Sequence, residues 1–328
     1  MRAIAPGKVI LSGEHAVVYG APALAVAASH HIRAQFTPDS GDSLQLSGDL
    51  LDHRFLLSEL PELHRCLNQR FDGFLAGQLH VDALLNSPDQ LLAYVLAEHG
   101  ASGAGTLRTE SDLPTGAGMG SSAAAIAAVQ LLAEQLGQQS LSLEQRFARI
   151  RYCERLQHGR GSAIDAAAVT YGGLVRVEGD QVSALDTALG EGWYRVNTGT
   201  PVVSTGQCVQ QVRERFADSS IWQQFREVTD QLQAGLSDPD SVHRALRENH
   251  RLLQAIEVVP TRVAEFIASL EQTGVSAKIS GAGAVRGEQG GQVLVYSPER
   301  DPSVLCAAFH YPIYPLKEDP KGARLVTD

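Results

Sequence analysis

A chain of 328 residues with 44% hydrophobic content can bury a large core, and its length sits better with two fused domains than with one or three. Its 27 Lys plus Arg against 37 Asp plus Glu give a net charge of -10 with no local basic patch, so neither nucleic acid nor a membrane is an expected partner. Cys66, Cys153, Cys208 and Cys306 lie far apart, and the first residues lack a signal-peptide pattern, so the expectation is a cytoplasmic protein with isolated thiols.

In chain order, residues 2 to 11 (RAIAPGKVIL) and 22 to 36 (PALAVAASHHIRAQF) read as β-rich runs, with Gly13 and Gly20 punctuating the turn between them. From Ser111 a Pro- and Gly-rich loop feeds SSAAAIAAVQLLAEQL, which favours helix at almost every position. Helix is expected again from Leu143 to Leu156, and HGRGSAIDAAAVTYGGLVRVEG reads as loop, short helix and a strand ending near Gly179. Residues 180 to 192 are expected to be a connection, with a domain boundary near residue 185 that divides the chain into 1-185 and 186-328. After strand-like WYRVNTG, helical spacing runs over Cys208 to Phe216, Ile221 to Leu236, Val242 to Ile256 and Pro260 to Thr273. AKISGAGAVRGEQGGQVLVYS then reads as strand, glycine loop and strand, before a further strand and helix and a polar tail.

The most informative string is Pro114 to Ala124, PTGAGMGSSAA. Gly116, Gly118 and Gly120 let backbone N–H groups converge on an anion, and the helix starting near Ser121 points its positive end at the same place. A Ser hydroxyl there can complete a Mg²⁺ shell with phosphate oxygens, water and a carboxylate. A glycine loop alone is more often a capped turn before a buried helix. No Gly-Lys-Ser/Thr follows it and no first βα unit precedes it, so it is neither a P-loop nor a dinucleotide fingerprint.

PTGAGMGSSAA resembles the PxxxGLGSSAA signature of the GHMP superfamily (galactokinases, homoserine kinases, mevalonate kinases and phosphomevalonate kinases), with Met119 at the usual Leu position. APGKVILSGEHAVVYG, from Ala5 to Gly20, and AKISGAG, from Ala277 to Gly283, match two further motifs in the right order, so the likeness spans most of the chain. The resemblance implies an α/β (α+β) two-domain fold: a ribosomal protein S5 domain 2-like N-terminal ATP-binding domain and a ferredoxin-like C-terminal domain, with ATP and a small-molecule substrate in the cleft between them.

The same resemblance implies ATP and Mg²⁺ as cofactors. It assigns Pro114, Gly116, Ala117, Gly118, Met119, Gly120, Ser121, Ser122 and Ala123 to the nucleotide loop, and Ser122 with Glu154 to the metal. Asp165, in HGRGSAID, would orient or deprotonate the substrate hydroxyl, and Lys8 would lower that hydroxyl's pKa and balance charge. Glu14, His15, Asp165 and Thr205 would shape the substrate pocket, Gly281 to Gly283 would steady the phosphate loop, and a homodimer is common among relatives. Taken singly, Asp165 reads as a helix cap, Glu154 as a solvated helix charge, Lys8 as a strand-end charge and His15 as a structural hydrogen-bonder.

GEHAVVYG, and the His158-Gly159 pair, favour the mevalonate kinase branch over galactokinases, which read GEHTDY, and over phosphomevalonate kinases, which usually read GEY. Arg160 and Gly161 replace the usual Asn-Pro, GAGAVRG replaces GAGGGGC and brings in Arg286, and Val203 stands where many members carry Arg. Another small-molecule kinase of the superfamily, phosphomevalonate kinase first, is the alternative reading. A non-catalytic nucleotide-binding regulator is a third, disfavoured because Lys8, Ser122, Glu154 and Asp165 are retained as a set.

Overall fold

From Ala5 to Ser12 every residue of the first strand, β1 (Arg2–Ser12), is buried, the pattern of a strand covered on both faces. The computed structural model describes residues 1–48, 51–98, 103–114, 118–159 and 162–326. A single 3-10 turn, Ala16–Tyr19, joins β1 to β2 (Ala23–Pro38), which lies antiparallel to it. There follow β3 (Ser43–Gly48), β4 (Leu51–Leu56), α1 (Leu60–Leu75), α2 (Pro88–Ala97) and β5 (Gly105–Ser111), none anticipated from the sequence. Most are short or expose much of their length: β4 buries two residues of six and α1 three of sixteen, too weak an apolar rhythm to read locally.

Helices α3 (Ser121–Leu136), α4 (Leu143–His158) and α5 (Ile164–Tyr171) and strand β6 (Leu174–Glu178) lie where composition put them. Residues 180 to 192 are not simply a connection. β7 (Gln181–Leu185) turns back on β6 with Glu178 opposite Gln181 and Gly179 at a positive φ. No residue of β7 is buried, so it carries no apolar alternation to betray it.

Next come β8 (Trp193–Asn197), four helices, α6 (Thr205–Phe216), α7 (Ile221–Ala234), α8 (Pro239–Ala255) and α9 (Thr261–Glu271), then β9 (Ser276–Ser280) and β10 (Gln292–Tyr296). α10 (Ser303–Ala308), β11 (Ile313–Pro315) and β12 (Arg324–Val326) close the described chain. Helix starts follow local chemistry: Ser142, Ser204 and Asp238 each accept a backbone N–H at the head of α4, α6 and α8.

Among the described residues the first sheet runs β12-β1-β2-β5-β3-β4, with β6 and β7 branching from the early part of β2. All its pairings are antiparallel except β3 with β5. The second sheet is antiparallel, β11-β8-β10-β9. α3 and α5 pack behind β1 and β2, and α8 and α9 cover β9. β12 returns to the edge of β1. The division into 1-185 and 186-328 is our proposal for two units whose last strand crosses back. No helix of the described residues is long and apolar enough to cross a membrane.

A buried polar seam joins the two sheets at the end of β1. Ile10 N–H donates to Ser280 Oγ (3.0 Å), which donates back to Ile10 O (2.9 Å). Asn249 Nδ2 donates to Ser12 Oγ (2.6 Å), which also meets Thr229 Oγ1 (2.7 Å). These bonds hold β1, α7, α8 and β9 in one register, which sets where the side chains of β1 face the second half of the chain.

Candidate active site

Lys8 lies mid-strand in β1, where its backbone N–H donates to Met119 O (2.8 Å) and ties the glycine loop to the sheet. Gly7 makes that approach possible: a Cβ there would lie 2.3 Å from Leu113 Cδ2 and 3.1 Å from Met119 O. The Lys8 ammonium sits 3.2 Å from Asp165 Oδ1 on the first turn of α5. Gly120, in the left-handed region at φ 70°, closes the loop and begins α3. A Cβ on it would come within 3.1 Å of Lys8 Cγ and 3.3 Å of Asp165 Oδ2, so the loop rests directly on this pair.

In the first turn of α3, Ser122 faces α4. Its Oγ is 2.5 Å from Glu154 Oε1 and 2.5 Å from Gln157 Oε1. Glu154 is buried, and that burial, with the nearby Asp165 charge, pushes its carboxyl up to about 7, against the pull of the Ser122 bond and Lys8. An oxygen cluster whose carboxylate is short of positive charge fits a divalent cation. Met119 and Ala123 are buried beneath the loop, while Ser121 and Gly118 are exposed at its mouth. Pro114 leads into the loop; Gly116 and Ala117, also assigned to the nucleotide, lie outside the described residues, as do Arg160 and Gly161.

Glu14 and His15 are placed differently from Lys8. Glu14 is fully buried and ion-paired with Lys278 of β9, whose ammonium also donates to Ile279 O (2.7 Å). Burial pushes the Glu14 carboxyl up and the Lys278 ammonium down, and each charge restrains the other's shift. His15 has φ 57°, a backbone setting rare outside glycine, and its Nε2–H donates to Ala282 O (2.9 Å). Burial lowers its pKa, so the ring is neutral, with Nδ1 buried and unbonded among the described residues.

Gly281, Ala282 and Gly283 therefore meet the β1 turn: Ala282 O also accepts the Cys208 S–H of α6 (3.0 Å), and Gly283 packs on Val258. Their expected contact with the phosphate loop falls partly on residues outside the described set. Thr205 is exposed at the start of α6, next to Ser204, which caps Gln207 N–H; neither bonds to Lys8 or Asp165. Val203 is buried and Arg286 exposed.

Thus the structure brings Lys8, Gly120, Ser122, Glu154 and Asp165 together, with Glu14 and His15 on the adjoining turn. Sequence reasoning missed Lys278 and Gln157. Lys278 stands inside the AKISGAG string, and Gln157 lies three residues after Glu154, on the same helical face.

Residues 86–173 match the GHMP kinases N terminal domain, and residues 229–285 match the GHMP kinases C terminal family. The mevalonate kinase of Archaeoglobus fulgidus is 28% identical over 312 residues, covering 92% of this chain and 98% of that protein. The crystal structure of the Methanococcus jannaschii mevalonate kinase superposes with a TM-score of 0.77 at 18% identity, covering 100% of this chain and 98% of its own. That of the Lactococcus lactis galactokinase complexed with galactose gives 0.76 at 15% identity, covering 99% and 95%. At such identities the superpositions establish the fold and do not separate a sugar from a mevalonate site.

Proposed function

Because the chain belongs to the GHMP kinases, we propose that it transfers a phosphoryl group from ATP to the hydroxyl of mevalonate, giving 5-phosphomevalonate. The observation that carries this reading is the Lys8–Asp165 pair at 3.2 Å beneath Gly120, at the head of a helix. An alcohol is a weak nucleophile at neutral pH, and an in-line transfer depends on orienting it and balancing the charge that develops. Asp165, one oxygen held by Lys8 and the side chain part exposed, accepts or orients the hydroxyl proton. Lys8 lowers the hydroxyl's pKa and balances transition-state charge.

In this reading the loop from Pro114 through Gly116, Ala117, Gly118, Met119 and Gly120 to Ser121, Ser122 and Ala123 cradles the phosphates. Backbone N–H groups and the N-terminal end of α3 supply positive potential. Ser122 and Glu154 would hold Mg²⁺, which when bound neutralises phosphate charge. His15 and Thr205 line the substrate pocket. Glu14 shapes it from behind, with its carboxylate held by Lys278. Val203 stands where many relatives carry Arg, so the substrate carboxylate draws its donors from the first turn of α6, where Thr205 and Gly206 are exposed. The mevalonate kinases of Archaeoglobus fulgidus, Pyrococcus horikoshii and Thermococcus onnurineus, each 28% identical over more than nine-tenths of this chain, support this substrate over galactose.

A coupled assay of ADP release by the full chain with ATP and Mg²⁺, screened against mevalonate, phosphomevalonate, galactose and homoserine, tests the proposal. Mevalonate should give the highest kcat/KM. A higher value with phosphomevalonate would overturn the substrate, and no alcohol-dependent release with any of the four would leave a nucleotide-binding regulator.

A further inference from the structure

We propose that Gln157 is a third oxygen donor of the divalent-cation site, beside Ser122 and Glu154, and that it sets the affinity of that site for its metal. The inference rests on the metal-site reading given above and goes beyond it to a residue that neither the sequence motifs nor the comparisons single out.

Glu154 and Gln157 are three residues apart in α4 and so project from one face of the helix. That face meets the second residue of α3, and Ser122 Oγ lies 2.5 Å from an oxygen of each. A hydroxyl carries one proton and can donate it to one of the two acceptors. The other oxygen then faces a lone pair at 2.5 Å, a contact that a cation among the three oxygens relieves, as would a proton on Glu154. Among the described residues no group of three or more His, Cys, Asp or Glu could hold a metal, so a cation here must draw on neutral oxygens as well as carboxylate.

A hydroxyl, an amide carbonyl and one carboxylate form a hard-oxygen donor set suited to Mg²⁺ or Mn²⁺, which keep further positions for water and phosphate oxygens. Ser122 and Gln157 are both part exposed, so a cation arriving with a nucleotide reaches them without local unfolding. With a single negative charge the protein half of the site stays weak alone, and a neutral amide adds affinity without the like-charge repulsion that a second carboxylate would bring next to Asp165. The competing arrangement has the amide turned over, with Nε2 donating to Ser122 Oγ and Ser122 donating to Glu154. Gln157 would then prop the hydroxyl and touch no metal.

Mn²⁺ alone is the probe, its binding to the full chain followed by loss of the free-ion EPR signal, for wild type, Ser122→Ala, Glu154→Gln, Gln157→Leu and Gln157→Glu. The expected result is that Gln157→Leu weakens binding about fivefold or more and Gln157→Glu tightens it by a similar factor, since ligand charge count tunes such sites. Ser122→Ala and Glu154→Gln should weaken it too. If those two weaken Mn²⁺ binding while both Gln157 variants stay within about twofold of wild type, Gln157 is a hydrogen-bonding prop and this proposal falls alone. If none of the four alters binding, the metal-site reading falls with it. Gln157→Glu preserves side-chain size, so a folding defect in the Leu variant leaves the question answerable.

Discussion

Two lysine–carboxylate pairs each draw one partner from β1 or the turn after it, and they differ in almost everything but their chemistry. Lys278–Glu14 bridges β9 and the end of β1 with side chains 0% and 1% exposed, while Lys8–Asp165 leaves its carboxylate 29% exposed under the glycine loop. A pair sealed from water on both sides has no room for a ligand, and its charges are worth keeping only while both are present. A pair with one wet oxygen can hand that oxygen to a substrate. Burial, not residue type, separates the clamp from the proposed chemical group.

The sharpest way to break the comparison is to remove one partner of the sealed pair. Lys278→Met leaves the Glu14 carboxylate buried without its cation and should lower stability by about 3–5 kcal/mol in urea unfolding. Adding Glu14→Gln removes the stranded charge and should recover a large part of that loss. A single-variant loss below about 1 kcal/mol would mean that the pair is no clamp.

His250, buried against the same region, extends the contrast to pH. Burial first, then the charges of Lys278 and Arg251, depress its imidazole from 6.5 to about 4. The unfolded chain binds this proton more readily, so the contribution is fully present above pH 6.5 and disappears as pH falls toward 4, up to roughly 3 kcal/mol. Thermal midpoints recorded from pH 7 to 4.5 should fall less steeply in His250→Gln than in wild type; parallel curves would take His250 out of the account.

For the exposed pair the effect belongs in rate. Asp165→Asn keeps size and capping capacity but loses the charge, so kcat should fall by roughly 10², about 2.7 kcal/mol, with thermal midpoint and KM close to wild type. An unchanged kcat, or a loss confined to KM, would return Asp165 to a structural or binding role. The smallest effect is expected at Gly120, where Ala would have to adopt φ 70° and press on Lys8 and Asp165. Gly120→Ala should lose about 1 kcal/mol of stability and a measurable part of kcat; full activity would show that the loop does not need to touch the pair.

Much of this was legible beforehand, for reasons that differ from element to element. α3 declared itself through a run of strong helix formers, β1 and β2 through continuous apolar text, and the loop through its glycines. β7, β3 and β4 did not, because short strands with few buried residues gain their stability from neighbours and leave little periodicity behind. In the site, Lys8, Ser122, Glu154 and Asp165 were named from motifs, and they do converge. Glu14 was named as a pocket residue, yet its partner Lys278, 264 positions away, was invisible because nothing local marks the second half of an ion pair.

By itself the sequence determined the parts whose cause is local: a flexible glycine turn, the helix that follows it, the caps at Ser142, Ser204 and Asp238, and, for the chain as a whole, a net charge of -10. Which charges meet, and how wet they are, was decided only by the tertiary structure. The order of strands around β1, and the seam linking Ile10 and Ser12 to Ser280 and Asn249, bring one lysine to a buried carboxylate and leave another beside an open one. The physical reason is range. Backbone preference acts over a few residues, whereas desolvation and Coulomb energy depend on everything packed around a group, wherever in the chain it comes from.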